Sequence, residues 1–144
     1  MTTTKRKLDI NGIPAVLWGV PSKRLYLYVH GQGGCKEETA AFADVACRFG
    51  WQVLSMDLPK HGERINGTVE FEPWSIVPEL SGIMDFVKDR WKYISLYASS
   101  IGAWFSMLSF GNEPLKNCLF VSPVLDMKEL MLKMMEWAGV SQTQ

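Results

Sequence analysis

Apolar and polar positions along this chain change their period several times, and each change marks an element. "KLDI-NG-IPAVLWG" (7–19) sets two β-prone runs on either side of Asn11-Gly12, residues that accept the positive φ of a tight primed turn, and predicts an N-terminal hairpin. "RLYLYVH" (24–30) is a continuous apolar strand that runs into the glycine-rich loop "GQGGCKE". Phe42, Val45, Ala46 and Phe49 then fall at i, i+3, i+4 and i+7, the spacing of one helical face, with Gly50 placed to end the helix in a left-handed turn. "WQVLSMDL" (51–58) has the look of another buried strand, and "PKHGERING" after it is loop.

Val77, Leu80, Met84 and Val87 mark a second helical face beginning near Glu72-Pro73, although Pro78 and Gly82 interrupt it. "YISLYAS" (93–99) passes directly into "SIGAWFSMLSF", where Ile101, Trp104, Phe105 and Leu108 share a face. A fourth strand of this series, "CLFVSPV" (118–124), follows a polar turn. In "DMKELMLKMMEWAG" (126–139), Met127, Leu130, Met131, Met134 and Trp137 lie on one side, with Asp126 as N-cap and Gly139 as stop. After the hairpin, strands alternate with helices. The expected fold is therefore α/β, one domain over residues 1–144, with a mostly parallel twisted sheet and helices on both faces. In such sheets ligands gather at the carboxyl ends of the strands.

Composition narrows the partners. The 15 basic and 15 acidic side chains cancel, so no net basic field is available for nucleic acid or an anionic membrane surface, and a small-molecule partner is expected. Cys35, Cys47 and Cys118 are odd in number and lack the paired spacing of a zinc site, which suits a reducing, cytoplasmic setting and predicts neither metal nor cofactor. The basic N-terminus has no apolar segment of signal-peptide length behind it, and no run approaches transmembrane length, so a soluble protein is expected.

Two stretches at strand carboxyl ends carry candidate chemistry. Ala98-Ser99-Ser100-Ile101-Gly102 fits the nucleophile-elbow pattern G-x-S-x-G with alanine in first place; the pattern needs small residues because the chain reverses sharply around the serine. An elbow presents Ser100 at a helix start, where backbone N–H groups and the helix dipole favour an anion. The alternative is that Ser99 and Ser100 only cap the helix. In "VHGQGG" (29–34), His30-Gly31 followed by Gly33 and Gly34 lets backbone N–H groups converge as an oxyanion hole requires, with Gln32 and Ile101 as the donors. The rivals are an ordinary strand-to-helix loop or a phosphate cradle, but neither a dinucleotide fingerprint nor a Gly-Lys-Ser/Thr sequence is present.

"YVHGQGG", "MDLPKHGER" and "YASSIGAWFSM", in this order and at these intervals, resemble the α/β-hydrolase superfamily over essentially the whole chain. In that family a His-Gly loop follows the third strand, an Asp-containing turn the fourth and the nucleophile elbow the fifth; "LFVSPVLD" looks like the sixth strand. The resemblance implies Ser100 as nucleophile, Gln32 and Ile101 as oxyanion donors, and His30, Gly31, Gly33 and Gly102 in supporting places. It also implies a fold truncated after about the sixth strand, because the family's catalytic histidine follows an eighth. Only His30 and His61 occur here, neither where the family places its base.

Asp126 is a candidate acid at the end of the sixth strand, although an N-cap role with Glu129 three residues on is the plainer reading. His61 reads as holding the "DLPKHGER" turn, Asp57 as binding backbone N–H groups there, and Cys35 as a small packed residue. The methionines of 127–135 suit either core or the first helix of a lid. The implied activity is serine-dependent hydrolysis of a carboxylic ester, weak or absent in this chain for want of a base. The alternative is a non-catalytic binding or interaction domain on the same scaffold, and acyl transfer or a cofactor-free lyase reaction stays open behind both. The strand at 118–124 is expected to be an apolar sheet edge that pairs with another copy or is covered by the methionine helix.

Overall fold

Asn11 (φ 54) and Gly12 (φ 84) turn the chain back on itself and pair β1 (Lys5–Ile10) with β2 (Ile13–Trp18), with Ile10 opposite Ile13. The hairpin is where the alternating pattern places it. The computed structural model describes residues 3–121 and Glu136.

Four further strands complete a six-stranded mixed sheet in the order β1-β2-β4-β3-β5-β6. They are β3 (Arg24–Val29), β4 (Gln52–Met56), β5 (Tyr93–Ser99) and β6 (Cys118–Val121). β2 runs antiparallel to both β1 and β4, whereas β4, β3, β5 and β6 run parallel. Because β3 lies between β4 and β5, the loops that leave these three strands open side by side at one end of the sheet. That adjacency brings the three sequence motifs together.

Helices α2 (Pro73–Lys88) and α3 (Ile101–Phe110) cover one face, joining Ile76, Leu80, Ile83, Met84, Val87, Ile101 and Phe105 to the inward side chains of the strands. Helix α1 (Ala40–Arg48) covers the other face over Val16, Trp18, Tyr28 and Val53. It ends as Gly50 (φ +85) predicts: the Gly50 N–H reaches Cys47 O and the Trp51 N–H reaches Ala46 O, the paired bonds of a Schellman stop.

Three predicted helix faces are corrected. On α1, Val45 and Phe49 point to solvent, Phe49 being 70% exposed, while Ala43 and Ala46 meet the sheet. Tyr26, Tyr28 and Tyr97 already fill that sheet surface, so the helix approaches on its small residues and sets Phe42 edge-on to Tyr26 at 5.1 Å. On α2, Ile76 takes the buried place expected of Val77, and the helix passes through Pro78 with that residue on its exposed side. On α3, Leu108 is exposed and Phe110 is buried in its stead. Of the last predicted strand only Cys118–Val121 falls among the described residues; Asp126 and the methionine segment lie outside them apart from Glu136.

Candidate functional site

β5 gives way to α3 at a single residue. Ser100 has φ 56 and ψ −129, a conformation that residues with a Cβ rarely adopt, and its N–H is held by Val121 O at 3.0 Å. It occupies the N-cap position, yet its hydroxyl makes no capping hydrogen bond to the helix. A capping role therefore does not explain this serine. The side chain is half-buried at the sheet's rim, and Ile101 opens the helix, so the Ile101 N–H is one of those the helix itself leaves without a partner.

Two glycines make room for this turn. A Cβ on Gly31 would stand 2.8 Å from Ser100 Cβ and 3.4 Å from its Oγ, so the hydroxyl lies over the start of the 31–34 loop. A Cβ on Gly102 would meet the carbonyl oxygen of His30, and that of Val29 at 2.9 Å. The buried Ala98, where the elbow pattern has glycine, fits without opening the site.

Two histidines tie this loop to the turn after β4 in reciprocal fashion. His30 is buried; its Nε2 accepts the Leu58 N–H at 3.0 Å, so Nδ1 carries the proton and donates to Gly31 O at 2.7 Å. His61 answers from the other side, accepting the Gly33 N–H on Nε2 at 2.9 Å and donating from Nδ1 to Pro59 O at 2.8 Å. The rings lie 5.1 Å apart, and His61 also packs on Phe71 at 4.6 Å. Burial lowers the His30 pKa to about 4, against the opposing pull of its bond to Gly31, so the ring is neutral near pH 7. Each imidazole has both nitrogens bonded to backbone, so neither is poised as a base for Ser100 as placed.

Lys36 is the residue that sequence reasoning missed. It is 2% exposed, and its Nζ lies 2.9, 2.8 and 2.6 Å from the carboxylates of Glu37, Asp57 and Glu63. Burial opposes its charge, but the three carboxylates outweigh it and hold the lysine well above its ordinary pKa. Asp57 accepts the Lys36 and Glu63 N–H groups, at 2.9 and 3.0 Å, as well as the ammonium. Burial alone would raise its pKa, and these partners lower it. Arg64 fastens the same turn to α2 with two 2.7 Å bonds to Glu79. No local pattern announces Lys36, since Asp57 and Glu63 come from the turn after another strand.

The structure thus brings Ser100, Gly31, Gly102 and His30 together, places Gln32 and Gly33 on the same loop, and leaves Asp126 outside the described residues. Cys35 is half-buried at the start of a short 3-10 turn and is a free thiol. Among the described residues no cluster of His, Cys, Asp or Glu is placed to hold a metal ion, and no helix is long and apolar enough to cross a membrane.

Strand order, crossovers and the elbow together define the α/β-hydrolase fold, and solved structures agree. The chain matches TT1662 from Thermus thermophilus with a TM-score of 0.69 and 21% identity, over 93% of this chain and 67% of that one. It matches a cold-adapted esterase from an Arctic intertidal metagenomic library at TM-score 0.63 and 22% identity, over 82% of this chain and 59% of the esterase. An epoxide hydrolase from Vigna radiata matches at TM-score 0.63 and 17% identity, over 83% of this chain and 40% of the hydrolase. The chain therefore spans between two fifths and two thirds of the length of these proteins. No protein-family model matches the sequence, and no curated protein does.

Proposed function

We propose that the chain carries the nucleophile and oxyanion-binding parts of a serine-dependent acyl hydrolase acting on carboxylic esters. The observation that carries this reading is Ser100 itself: a serine in a strained conformation, half-exposed at the sheet's rim beside Gly31, whose hydroxyl does no capping. Strain of this kind persists where the surrounding structure holds it, and functional sites are where it collects. That an esterase is among the structural neighbours agrees with the choice of substrate class.

Ser100 Oγ would attack the ester carbonyl carbon, forming an O–C bond while the carbonyl π pair moves to oxygen. The oxyanion would face the N–H groups of Ile101 and Gln32 and the amino end of α3. Collapse breaks the bond to the leaving alcohol, which takes up the serine proton, and water then releases the acid by the same route. With His30 and His61 both engaged by backbone, that proton passes to solvent or to a base beyond this chain's histidines, and turnover by the chain alone is slow.

The test is a fluorophosphonate probe with mass mapping of the adduct. Ser100 should be modified in the folded chain and not after unfolding in urea, and Ser100→Ala should abolish the adduct. Equal labelling of folded and unfolded chain, or none at Ser100, defeats the reading. The engagement of both imidazoles favours a second reading, a non-catalytic binding domain. It predicts no Ser100-dependent p-nitrophenyl acetate turnover, and no Ser100 adduct either.

A further inference from the structure

The loop at 31–34 could take many conformations, yet three successive peptide units in it are held by hydrogen bonds, two of them to side chains outside the loop. The Gly31–Gln32 peptide is trans, so its C=O and N–H point in opposite directions. Its oxygen is gripped by two donors, His30 Nδ1–H at 2.7 Å and the Gly34 N–H at 3.1 Å. The Gln32 N–H is thereby turned the other way, whatever the Gln32 side chain does. The next N–H, that of Gly33, is bound by His61 Nε2 at 2.9 Å and so is not available to an anion over Ser100. At the far end of the loop, the Lys36 N–H and ammonium both rest on Asp57, at 2.9 and 2.8 Å, and the Ser55 hydroxyl holds Lys36 O at 2.7 Å.

We propose that His61 is a positioning residue for acyl transfer, holding the Gly33 N–H so that the 31–34 loop presents the Gln32 N–H to the developing oxyanion. This rests on the reading of Ser100 as nucleophile. His30 fixes the peptide that carries the donor and His61 the peptide after it. A donor in a fixed peptide with a fixed neighbour need not reorganise as charge develops, and that is the source of an oxyanion hole's effect. The geometry also fixes the His61 tautomer. Nε2 accepts from an amide, so the neutral ring carries its proton on Nδ1, toward Pro59 O. The other titratable groups facing this ring are His30 on the loop and Glu38, whose carboxyl burial raises against the opposing influence of His61 and Tyr28.

The experiment uses the 144-residue chain and two variants. His61→Ala removes the acceptor, and His61→Gln restores a carbonyl oxygen at nearly the reach of Nε2. Two quantities are followed: exchange of the Gly33 amide proton by NMR, and the rate at which a fluorophosphonate modifies Ser100, a step that forms a Ser100 O–P bond, expels fluoride and gives the serine proton to buffer. His61→Ala should speed Gly33 exchange and slow Ser100 labelling by about tenfold, and His61→Gln should recover most of both. Should His61→Ala not fold, imidazole nitrogen spectra of the unaltered chain decide the matter: a neutral His61 protonated on Nε2 overturns the proposal. Unchanged Gly33 exchange in His61→Ala with Ser100 still reactive overturns it alone. A Ser100 inert in the unaltered chain overturns it together with the reading beneath it, even if Gly33 exchange shows that His61 holds the loop.

Discussion

Gly31 and Ser100 touch across the mouth of the sheet, leaving no room for a methyl group between them: a Cβ on Gly31 would lie 2.8 Å from that of Ser100. Gly31→Ala should push the loop and the elbow apart at the place where substrate would sit. The expected stability cost is about 1–2 kcal/mol, with a larger proportional loss in Ser100 labelling. Gly31 also faces one backbone carbonyl, Ser99 O at 2.8 Å, but at Gly102 two carbonyl oxygens, those of buried Val29 and His30, converge on the place of the Cβ, and His30 O is the closer. Gly102→Ala should therefore cost more, about 3 kcal/mol. Urea melts of both variants check the order, and Gly31→Ala proving the worse folder would contradict the packing described.

Ser100 invites the opposite experiment. Its φ of 56 and ψ of −129 suit glycine far better than any residue with a Cβ. Relief of that strain, of order 1–3 kcal/mol, should exceed the extra chain entropy glycine loses on folding, roughly 0.5–1 kcal/mol. Ser100→Gly should thus be more stable than both the parent and Ser100→Ala by about 1 kcal/mol while losing the adduct-forming hydroxyl. A Ser100→Gly chain that melts earlier than Ser100→Ala would remove the case for strain.

The contrast between Ser100 and Lys36 shows where the sequence stops being legible. Gly102 and Ser100 sit two residues apart, so the steric demand of the elbow is written locally. The His-Gly loop, the Asn11-Gly12 hairpin and the Gly50 stop are local in the same way. Helix faces were less readable: Phe49 has the right spacing for burial but lies on the solvent side of α1, because tyrosines from two strands had already filled the surface it would need. Lys36 was unreadable, since a lysine is buried only where carboxylates converge, and two of its three come from a turn brought near by strand order. The bonds His61 makes to Gly33 and Pro59 belong to the same class.

That lysine predicts an asymmetric mutational response. Lys36→Met leaves Asp57 fully buried without its ammonium, and removal of one member of a buried pair costs about 3–5 kcal/mol. Adding Asp57→Asn should restore part of the loss, because the stranded charge disappears while the one amide oxygen can still accept either the Lys36 or the Glu63 N–H; recovery stays incomplete because Asp57 takes these two on separate oxygens. Equilibrium unfolding of both single variants and the double variant measures the coupling. Strict additivity would mean that the pair is not coupled as its 2.8 Å separation implies.

β6 is one of the two edges of the sheet among the described residues, β1 being the other, and Leu119, Phe120 and Val121 on it are all exposed, Phe120 by 39%. Such an edge favours pairing with a second copy of the chain. Asn117 O and Val121 O accept from Leu96 and Ser100 N–H groups, so by the strand's period of two the Phe120 N–H faces outward. Phe120→Pro should remove a donor from the open side and leave the β5–β6 ladder intact. The expected result is a concentration-dependent dimer in sedimentation for the parent and a monomer for the variant. A parent that stays monomeric at every concentration rules the pairing out.

Acid should loosen the clasp through His30. Its pKa falls from an unfolded value near 6.5 to about 4 in the folded chain, chiefly because burial penalises the imidazolium. The unfolded chain therefore binds the extra proton first. The contribution of this group is fully present above about pH 6.5 and is lost as pH falls toward 4, on the order of 3 kcal/mol across the window. Glu38 works against this trend: burial raises its carboxyl, so its share of the stability is lost as pH rises through its folded value rather than as it falls. Asp57, against the opposing effect of burial, and Glu63 are both lowered by their bonds to Lys36, so their shares too are lost as pH falls, and the parent slope alone is a net effect of all four groups. His30→Gln isolates the histidine by keeping an acceptor for the Leu58 N–H while removing the proton-binding site. Unfolding free energies of parent and variant, measured at intervals from pH 7 down to 4.5, should converge as the parent loses its advantage. Parallel curves over that range would show that His30 is not held neutral by its surroundings, and the reciprocal bonding of the two imidazoles would have to be redrawn.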